Sequence, residues 1–308
     1  MKQLIRLTEK GLIPDFLVRL GIQKLLRERL SGLSLDNCEK QLMLQDQFLA
    51  ALNQSNIAEV PEKANQQHYE VPVNFFKKVL GPHLKYSCGY WDSTTSSLAV
   101  SESEALKRTC ENADLLNSQE ILELGCGWGS LSLWMAEHYP DSVITSVSNS
   151  ATQKAFIEAR ASERKFKNLK VLTSDMNGYE PNQSFDRIVS VEMFEHMRNW
   201  PKLFSKVSGW MKEDAKFLMH VFCHRMTPYF FEAFDDDDWM ARYFFSGGIM
   251  PSDQLPYLVP SELKVEKHWR WDGTHYQKTS LTWLNQMDQA KEELFPVFKE
   301  TYVRDSQI

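Results

Sequence analysis

Residues 121–136 read ILELGCGWGSLSLWMA, and this stretch decides the fold of the 308-residue chain. The apolar run EILEL at residues 120–124 precedes Gly125, Gly127 and Gly129, and an apolar stretch with helical spacing follows them. Glycines let the backbone turn tightly and approach a ligand closely, while the free N–H groups that begin the next helix suit a carboxylate. A strand, a glycine turn and a helix in this order are typical of a doubly wound α/β domain.

The alternation of short apolar runs with helical stretches continues through the middle of the chain. Strands that alternate with helices pair in parallel, so we predict an α/β fold with a doubly wound, mostly parallel sheet. The strands are predicted at residues 120–124, 143–147, 169–173, 185–191, 216–222 and 265–270. The helices are predicted at residues 14–31, 35–55, 73–80, 104–116, 129–138, 151–164, 200–212 and 281–301.

Changes in pattern divide the chain into four parts. Residues 1–95 form an N-terminal helical segment, 96–225 the cofactor-binding core, 226–262 a helical insertion over the active face, and 263–308 a C-terminal strand and helix. Pro14 opens the basic helix of the first part, because its missing N–H costs nothing in a first turn. We expect the apolar residues of that helix to share one face that packs on the protein.

Composition excludes several classes of protein. The chain is 43% hydrophobic, enough for one large core, and its net charge is −6. The acidic balance argues against a nucleic-acid partner, which needs a basic surface stripe. The five cysteines form no C-x-x-C pair, as a zinc site would need, and their odd number does not suit a disulfide framework. No apolar run approaches the ~20 residues that span a bilayer, and the N-terminus lacks a signal-peptide core. We expect a cytoplasmic protein without a metal.

The glycine loop favours S-adenosylmethionine over a dinucleotide. The dinucleotide fingerprint needs glycine where Ser130 stands, and an acid about 20 residues on, where the second strand instead ends in SVSN at 146–149. Glu123, directly before the glycines, is the usual acid of methyltransferases and is a candidate cofactor residue. Asp175 follows the third strand and is placed to meet an adenine amino group, since ligands bind beyond the carboxyl ends of such strands.

The stretch VEMFEHM at 191–197 follows the fourth strand and carries candidate catalytic groups. If it turns helically, Glu192 and Glu195 share a face, with His196 beside them. A free amine near neutral pH is mostly ammonium, and a carboxylate or imidazole can accept its proton and position it. A metal site of the H-x-x-E-H type lacks its first histidine here. The residues alone also allow a charged surface loop.

A second candidate set consists of Cys88, His220 and Tyr276. These residues are far apart in sequence, and nothing in their spacing shows that they meet. A single buried cysteine or histidine belongs to the core more often than to a site.

Several stretches together resemble the cyclopropane-fatty-acid-synthase superfamily of methyltransferases, and within it the coclaurine N-methyltransferases. They are QQHYEVP, LKYSCGYW, LELGCGWGSLSLWMA, SNSATQKAFI, FDRIVSVEMFEHM, FLMHVFCH, DDWMARYFFSGGIMPS and GTHYQKTSLTWL. The resemblance implies a Rossmann-like class I fold in which the SNS stretch replaces the missing acid. It implies that the cofactor S-adenosylmethionine, which leaves as S-adenosylhomocysteine, is contacted by Tyr86, Ser87, Gly125, Gly127, Asn149, Gln153, Asp175 and Met176.

The resemblance includes two subfamilies with different chemistry. Cyclopropane synthases hold bicarbonate, their presumed base, in a cage whose side chains correspond to Cys88, Glu195, His220 and Tyr276, with a backbone contact at Phe222. Coclaurine-type enzymes are similar to this chain at Glu192, where the synthases typically carry glycine. The resemblance therefore favours N-methylation of a small amine by Glu192, Glu195 and His196. Bicarbonate-dependent alkene modification of a lipid, another methyl acceptor and a cofactor-binding scaffold without activity stay open.

The resemblance also bears on partners and on the sheet. It favours a homodimer, and it gives the basic N-terminal helix a membrane contact only under the lipid alternative.

A sheet of this class normally ends in a β-hairpin, but ETYVRDSQI after Lys299 contains no strand pattern. We therefore expect the last strand to be absent, either because the chain is truncated or because the sheet lacks it.

Overall fold

The computed structural model of the chain describes residues 2–33, 36–60, 71–233 and 238–301. Most of QQHYEVP, at 66–72, and the sequence after Thr301 lie outside the described residues. The expectations for the final strand and for the first of the resembling stretches therefore stay predictions.

A five-stranded sheet lies at the centre of the molecule. Its strands are β1 (Glu120–Leu124), β2 (Val143–Ser148), β3 (Leu169–Thr173), β4 (Phe185–Val191) and β5 (Met211–His220). Their order is β3-β2-β1-β4-β5, and every neighbouring pair is parallel. The predicted doubly wound parallel sheet is confirmed.

Helices surround the sheet and precede it. The N-terminal segment contains α1 (Lys2–Glu9), α2 (Asp15–Gly32), α3 (Cys38–Gln54) and α4 (Val73–Val79), and the core begins with α5 (Leu98–Asn112). The crossover helices are α6 (Ser130–His138), α7 (Ala151–Glu163) and α8 (Trp200–Gly209). The insertion and C-terminal region contain α9 (Trp239–Tyr243), α10 (Leu255–Leu258), α11 (Gly273–Gln289) and α12 (Lys291–Thr301).

The strand order reverses between β1 and β4, and this reversal positions the site. From β1 the chain moves outward through β2 to β3, then returns to the other side of β1 for β4 and β5. The connections after β1 and β4 therefore leave in opposite directions and open a crevice beyond the carboxyl ends of the strands. The glycine loop follows β1, and the loop with the paired glutamates follows β4.

Both faces of the sheet are covered by apolar side chains, which fixes those loops on a rigid support. Ile121 and Leu122 are neighbours on β1 and point to opposite faces. Ile121 packs with the cluster that includes Met135, and Leu122 packs with the cluster that includes Trp200. Burying each such side chain contributes about 1.5–3 kcal/mol.

The insertion contains a short hairpin as well as helices. Its strands β6 (Tyr229–Phe230) and β7 (Ile249–Met250) pair antiparallel. The ring of Phe245 stacks on His196 at a centroid distance of 4.4 Å. The insertion thus packs against the glutamate loop, as expected for a segment over the active face.

The strand predicted at 265–270 is wrong, and the last helical region differs from its prediction. Residues 264–271 pair with no described strand, β5 is the edge of the described sheet, and Val265 is 44% exposed. One helix at 281–301 was predicted, but α11 begins earlier and α12 follows it. Asp272 caps α11, because its side chain accepts a hydrogen bond from the N–H of Thr274.

The single apolar face predicted for the basic N-terminal helix is also wrong. At 100° per residue Phe16 and Leu25 lie about 180° apart on α2, and no residue of α2 is buried. The helix contacts the insertion through Arg29, which pairs with Asp238 at 3.6 Å and lies over the ring of Tyr229. None of the described helices is long and apolar enough to cross a bilayer. Membrane contact and a homodimer stay predictions.

Candidate active site

The glycine loop is built from three left-handed residues. Gly125, Gly127 and Gly129 have φ values of 79°, 53° and 80°, a region that other residues enter at a cost. A Cβ atom at Gly125 would lie 2.5 Å from Cγ of Met193, and one at Gly129 would lie 2.6 Å from Cγ1 of Ile157. A Cβ atom at Gly127 would meet nothing within 4 Å. Packing therefore requires glycine at two positions, whereas Gly127 borders open space.

That open space belongs to a cavity at the carboxyl ends of the strands. Six residues of the predicted cofactor set line it, which are Gly125, Gly127, Asn149, Gln153, Asp175 and Met176. Met193 and His196 of the glutamate loop line it too. The crevice predicted from the strand order therefore contains a cavity shared by the glycine loop and the glutamate loop. Tyr86 and Ser87 lie outside its lining, so their cofactor contacts stay predictions.

Gln153 supplies the cavity with a free donor. Its Oε1 accepts a hydrogen bond from Ser148 Oγ at 2.6 Å, which fixes the orientation of the amide. Its Nε2 is buried and has no hydrogen-bond partner among the described residues. A buried donor without a partner costs free energy unless a ligand accepts its hydrogen bond. Gln153 therefore fits an acceptor atom of a bound cofactor.

Asp175 is held by its own loop. One carboxylate oxygen accepts from the backbone N–H of Asn177 at 3.1 Å, and the other accepts from the side-chain amide of the same residue at 3.0 Å. The amide of Asn177 also donates to the carbonyl of Ala58. The loop after β3 is thus attached to the chain that follows α3, beside the cavity.

Glu123 supports the glycine loop from within the core. Its buried carboxylate accepts hydrogen bonds from the hydroxyls of Ser132 and Ser146 and so joins β1 to α6 and β2. Burial raises its pKa to about 7, against the opposing effect of the two hydroxyls. Glu123 does not line the cavity. Its contact with the cofactor therefore stays a prediction.

We expect Glu123→Gln to flatten the dependence of stability on pH. The pKa of a glutamate is 4.5 when unperturbed and about 7 for Glu123 in the folded protein. The folded state therefore binds the proton more tightly, and stability falls as pH rises from about 4.5 to above 7, by up to about 3 kcal/mol. Urea unfolding at pH 5 and pH 8 measures this difference. The exposed Glu292→Gln is the control, and an unchanged pH dependence in Glu123→Gln would contradict the expectation.

The glutamate loop brings together residues that are distant in sequence. Oε1 of Glu192 accepts a hydrogen bond from the backbone N–H of Cys88 at 2.8 Å, and Oε2 accepts from the hydroxyl of Tyr276 at 3.0 Å. Glu192 itself has a φ of 50°, which is uncommon for a residue other than glycine. Such a conformation persists where surrounding contacts hold it, and it is frequent at functional sites. Glu192, Cys88 and Tyr276 thus form one cluster.

Glu195 lies next to this cluster and is fully buried. A short 3₁₀ turn, Phe194–His196, carries it. Its Oε1 accepts from the backbone N–H of Phe222 at 2.7 Å, and its Oε2 has no hydrogen-bond partner among the described residues. Burial and the neighbouring charge of Glu192 raise the pKa of Glu195 well above its usual value. Glu195 therefore binds a proton more readily than an exposed glutamate does.

Cys88, Tyr276 and His220 are neutral groups. Burial, and then the charge of Glu192, raises the pKa of Cys88 to about 12 and that of Tyr276 well above 10. Burial lowers the pKa of His220 to about 3, and the charge of Lys85 adds to this effect. The ring of His220 packs against the ring of Trp271, with 4.7 Å between the ring centroids. The cysteine is thus a thiol and the histidine an uncharged imidazole.

Sequence reasoning missed Lys85 and Glu102. Lys85 lies within the LKYSCGYW stretch, is only 3% exposed, and donates to Ser87 Oγ and to the carbonyl of Cys88. The buried carboxylate of Glu102 accepts from the backbone N–H groups of Gly81, His83 and Lys85. A lysine within a stretch of aromatic and small residues is a weak signal of a functional site. No local sequence pattern identified Glu102 as the acceptor of its backbone N–H.

Metal ligation is not a feature of the cluster. Among the described residues, no group of three or more His, Cys, Asp or Glu side chains is arranged to hold a metal ion. The chemistry of the site therefore has to be derived from its carboxyl, hydroxyl and ammonium groups.

A sequence profile of the mycolic acid cyclopropane synthetase family matches residues 58–306. The chain belongs to this family. The match covers the glycine loop, the glutamate loop and the cluster around Glu192, which confirms the predicted superfamily and enzyme class.

Two relatives represent the two kinds of chemistry. The chain is 34% identical over 298 residues to (S)-coclaurine N-methyltransferase from Thalictrum flavum subsp. glaucum, covering 96% of this chain and 82% of that one. It is 30% identical over 241 residues to cyclopropane-fatty-acyl-phospholipid synthase from Escherichia coli (strain K12), covering 78% of this chain and 60% of that one. The family therefore includes both predicted subfamilies.

Solved structures show the same fold. A crystal structure of coclaurine N-methyltransferase bound to N-methylheliamine and S-adenosylhomocysteine superposes with a TM-score of 0.94 at 32% identity, covering 99% of this chain and 88% of that one. A cyclopropane synthase from Mycobacterium tuberculosis superposes with a TM-score of 0.68 at 20% identity, covering 82% and 93%. The second likeness shows the fold alone.

Proposed function

We propose that this protein transfers the methyl group of S-adenosylmethionine to the nitrogen of a small amine. The observation that carries the proposal is the position of Glu192. Its carboxylate accepts hydrogen bonds from the backbone of Cys88 and the hydroxyl of Tyr276, and the next residue, Met193, lines the cavity formed by the cofactor loop. A carboxylate at this place suits a reaction that creates a positive charge on nitrogen.

The cavity residues fit the cofactor. Gln153 offers a buried donor, Gly127 leaves space for close approach, and Met176 and Met193 supply apolar surface. The helix α6 begins at the glycine loop, and its N-terminal N–H groups suit a carboxylate of the ligand. When bound, S-adenosylmethionine supplies an electrophilic methyl group on a positively charged sulfur.

The bicarbonate of the predicted cage does not fit this chain. Two groups of that cage already have acceptors, because the hydroxyl of Tyr276 donates to the carboxylate of Glu192 and the backbone N–H of Phe222 donates to Glu195. The thiol of Cys88 donates to the carbonyl of Gly89, and the backbone N–H of Cys88 donates to Glu192. A carboxylate and a bicarbonate are both acceptors of these hydrogen bonds. We therefore assign the role of the acceptor to Glu192 and include no bicarbonate in the mechanism.

Glu192 acts on the amine by its charge. The amine nitrogen becomes positive as it gains the methyl group, and a fixed carboxylate stabilises that charge strongly in a site shielded from water. If the amine carries a proton, the carboxylate can also accept it. Cys88 and Tyr276 hold the two oxygens in place, so little reorganisation is needed when the charge forms.

Glu195 and His196 complete the acceptor side of the site. Two neighbouring carboxyl groups whose pKa values differ divide the acid and base roles between them. Burial and then the charge of Glu192 raise the pKa of Glu195, which has one oxygen without a partner among the described residues, whereas the charge of Lys85 opposes the effect of burial on the pKa of Glu192. We therefore assign the acid role to Glu195 and the ionised state to Glu192. His196 lines the cavity and is oriented by its stacking on Phe245, so we assign it the positioning of the amine.

The relatives support a cyclic amine as the acceptor. Their names refer to coclaurine and pavine N-methylation, and the similar crystal structure contains N-methylheliamine. The ring of Phe245 in the insertion stacks on His196, and the rings of Phe231, also in the insertion, and of Phe222, which precedes it, contact Phe245. Such surroundings suit an aromatic amine, because rings pack favourably edge to face.

The experiment that tests the proposal is an assay with methyl-labelled S-adenosylmethionine. The purified protein receives a panel of tetrahydroisoquinolines and simple secondary and tertiary amines together with vesicles of unsaturated phospholipid. We expect label in the amine fraction. Label in extracted lipid would overturn the proposal in favour of alkene modification. Tight binding of S-adenosylhomocysteine without transfer to either fraction would instead indicate a scaffold.

A further inference from the structure

The ammonium group of Lys85 is enclosed beside the glutamate cluster. Its Nζ donates to Ser87 Oγ at 2.5 Å and to the carbonyl oxygen of Cys88 at 2.8 Å. The turn that carries it is clamped by Glu102, whose carboxylate accepts three backbone N–H groups. A lysine this deeply buried is unfavourable unless its charge has a compensating partner.

The backbone of a single residue, Cys88, links Lys85 to Glu192 through two hydrogen bonds. The N–H of Cys88 donates to Glu192, and the carbonyl of the same residue accepts from Lys85. The cation and the carboxylate therefore lie on the two sides of a single residue. Burial raises the pKa of Glu192, and the charge of Lys85 is the largest influence in the opposite direction.

We propose that Lys85 is a positioning residue that keeps Glu192 ionised and holds the Ser87–Cys88 turn against it. The inference rests on the proposed function, in which an ionised Glu192 faces the amine. It adds that the charge of this carboxylate is maintained by a cation that does not touch the substrate.

The other titratable groups around Glu192 and Lys85 do not supply a positive charge that could keep Glu192 ionised. Glu192 faces Tyr86 and Cys88 from the same turn as Lys85, Tyr276 from α11, and Glu195 from its own loop. Lys85 faces Glu102 and His220 in addition. The tyrosines, the thiol and the imidazole are uncharged near neutral pH, and burial followed by the charge of Glu192 raises the pKa of Glu195. Burial lowers the pKa of Lys85, and the charges of Glu192 and Glu102 oppose that effect, so the neighbouring carboxylates favour the ammonium form of Lys85.

Removing that charge should raise the pKa of Glu192. An opposite charge at close range lowers a carboxyl pKa by about 1 to 3 units. We expect Lys85→Met and Lys85→Gln to move the acidic limb of the rate profile upward by about 1 unit or more, whereas Lys85→Arg retains most of the wild-type profile. The exposed Lys167→Met is the matched control and should leave the profile unchanged.

A readout independent of methyl transfer separates this inference from the proposed function. Carbon NMR of protein labelled at the glutamate carboxyls follows the ionisation of Glu192 in the complex with S-adenosylhomocysteine, and Glu192→Gln assigns the signal. We expect the signal to titrate at higher pH in Lys85→Met or Lys85→Gln. An unchanged titration in a folded variant overturns the inference, even if amine methylation is established. A shifted titration supports it, even if the acceptor is a different compound.

Discussion

Replacing Glu192 with glutamine is expected to lower kcat for amine methylation by about 10³-fold. Removal of one group that stabilises developing charge in an enclosed site costs about 10²- to 10³-fold. Glu192 is expected at the upper end, because in the proposed reaction it acts with a full charge and both of its oxygens are held by hydrogen bonds. Glutamine has nearly the same shape, so the loss reports on charge rather than on packing.

The same variant should leave cofactor binding nearly intact. The glutamine oxygen can still accept the hydrogen bond from the backbone of Cys88, and Glu192 is not among the residues that line the cofactor cavity. Calorimetric titration with S-adenosylhomocysteine measures the affinity, and single-turnover kinetics measure the transfer step. A large loss of affinity would assign Glu192 to the cofactor instead.

The pH profile gives a second signature of Glu192. Burial raises its pKa above 4.5, and the group has to be ionised to act. The wild-type rate should therefore fall as pH decreases through the raised pKa, and Glu192→Gln should lose this limb. Glu163→Gln, at an exposed position, is the matched control. A variant rate within about 10-fold of the wild type would contradict the electrostatic role of Glu192.

The parts of the fold that depend on local patterns could be predicted. The apolar runs at 120–124 and 185–191 match β1 and β4 to the residue, because buried parallel strands leave a continuous apolar signature. The glycine loop follows β1 as expected. The failed strand at 265–270, VEKHWR, contains two apolar residues, Val265 and Trp269, in place of a continuous apolar run. Strand formation also needs a neighbouring strand to pair with. No local pattern contains that information.

The active site, too, could be predicted where local sequence identifies a residue and could not be predicted where distant residues meet. The VEMFEHM stretch identified Glu192 and Glu195 by their position after a strand. Their contacts with Cys88, Tyr276 and Phe222 could not be predicted, because these groups come from a loop before the core, a helix after it and the end of β5. The pairing of a buried lysine with this cluster also arises only from the tertiary fold.

Gly127→Val is expected to weaken binding of S-adenosylhomocysteine by more than about 100-fold, close to 3 kcal/mol. A side chain at this position would extend into the open space that borders the cavity. It would also occupy a left-handed conformation, which costs roughly 1–2 kcal/mol per residue. The loss of affinity should therefore exceed the loss of stability. In Gly127→Ala both losses should be smaller, and the loss of affinity should again be the larger of the two.

Gly129→Ala is expected to show the opposite pattern, with its larger effect on the stability of the protein. Its φ is just as left-handed, but its Cβ atom would lie 2.6 Å from the buried side chain of Ile157. Close approach inside a packed core forces its neighbours to shift, at a cost of about 1–3 kcal/mol beyond the backbone strain. Thermal unfolding should thus show the larger loss for Gly129→Ala, and calorimetry the larger loss of affinity for Gly127→Val. If both variants lost stability and affinity in equal proportion, the open space beside Gly127 would not be the place where the cofactor approaches the loop.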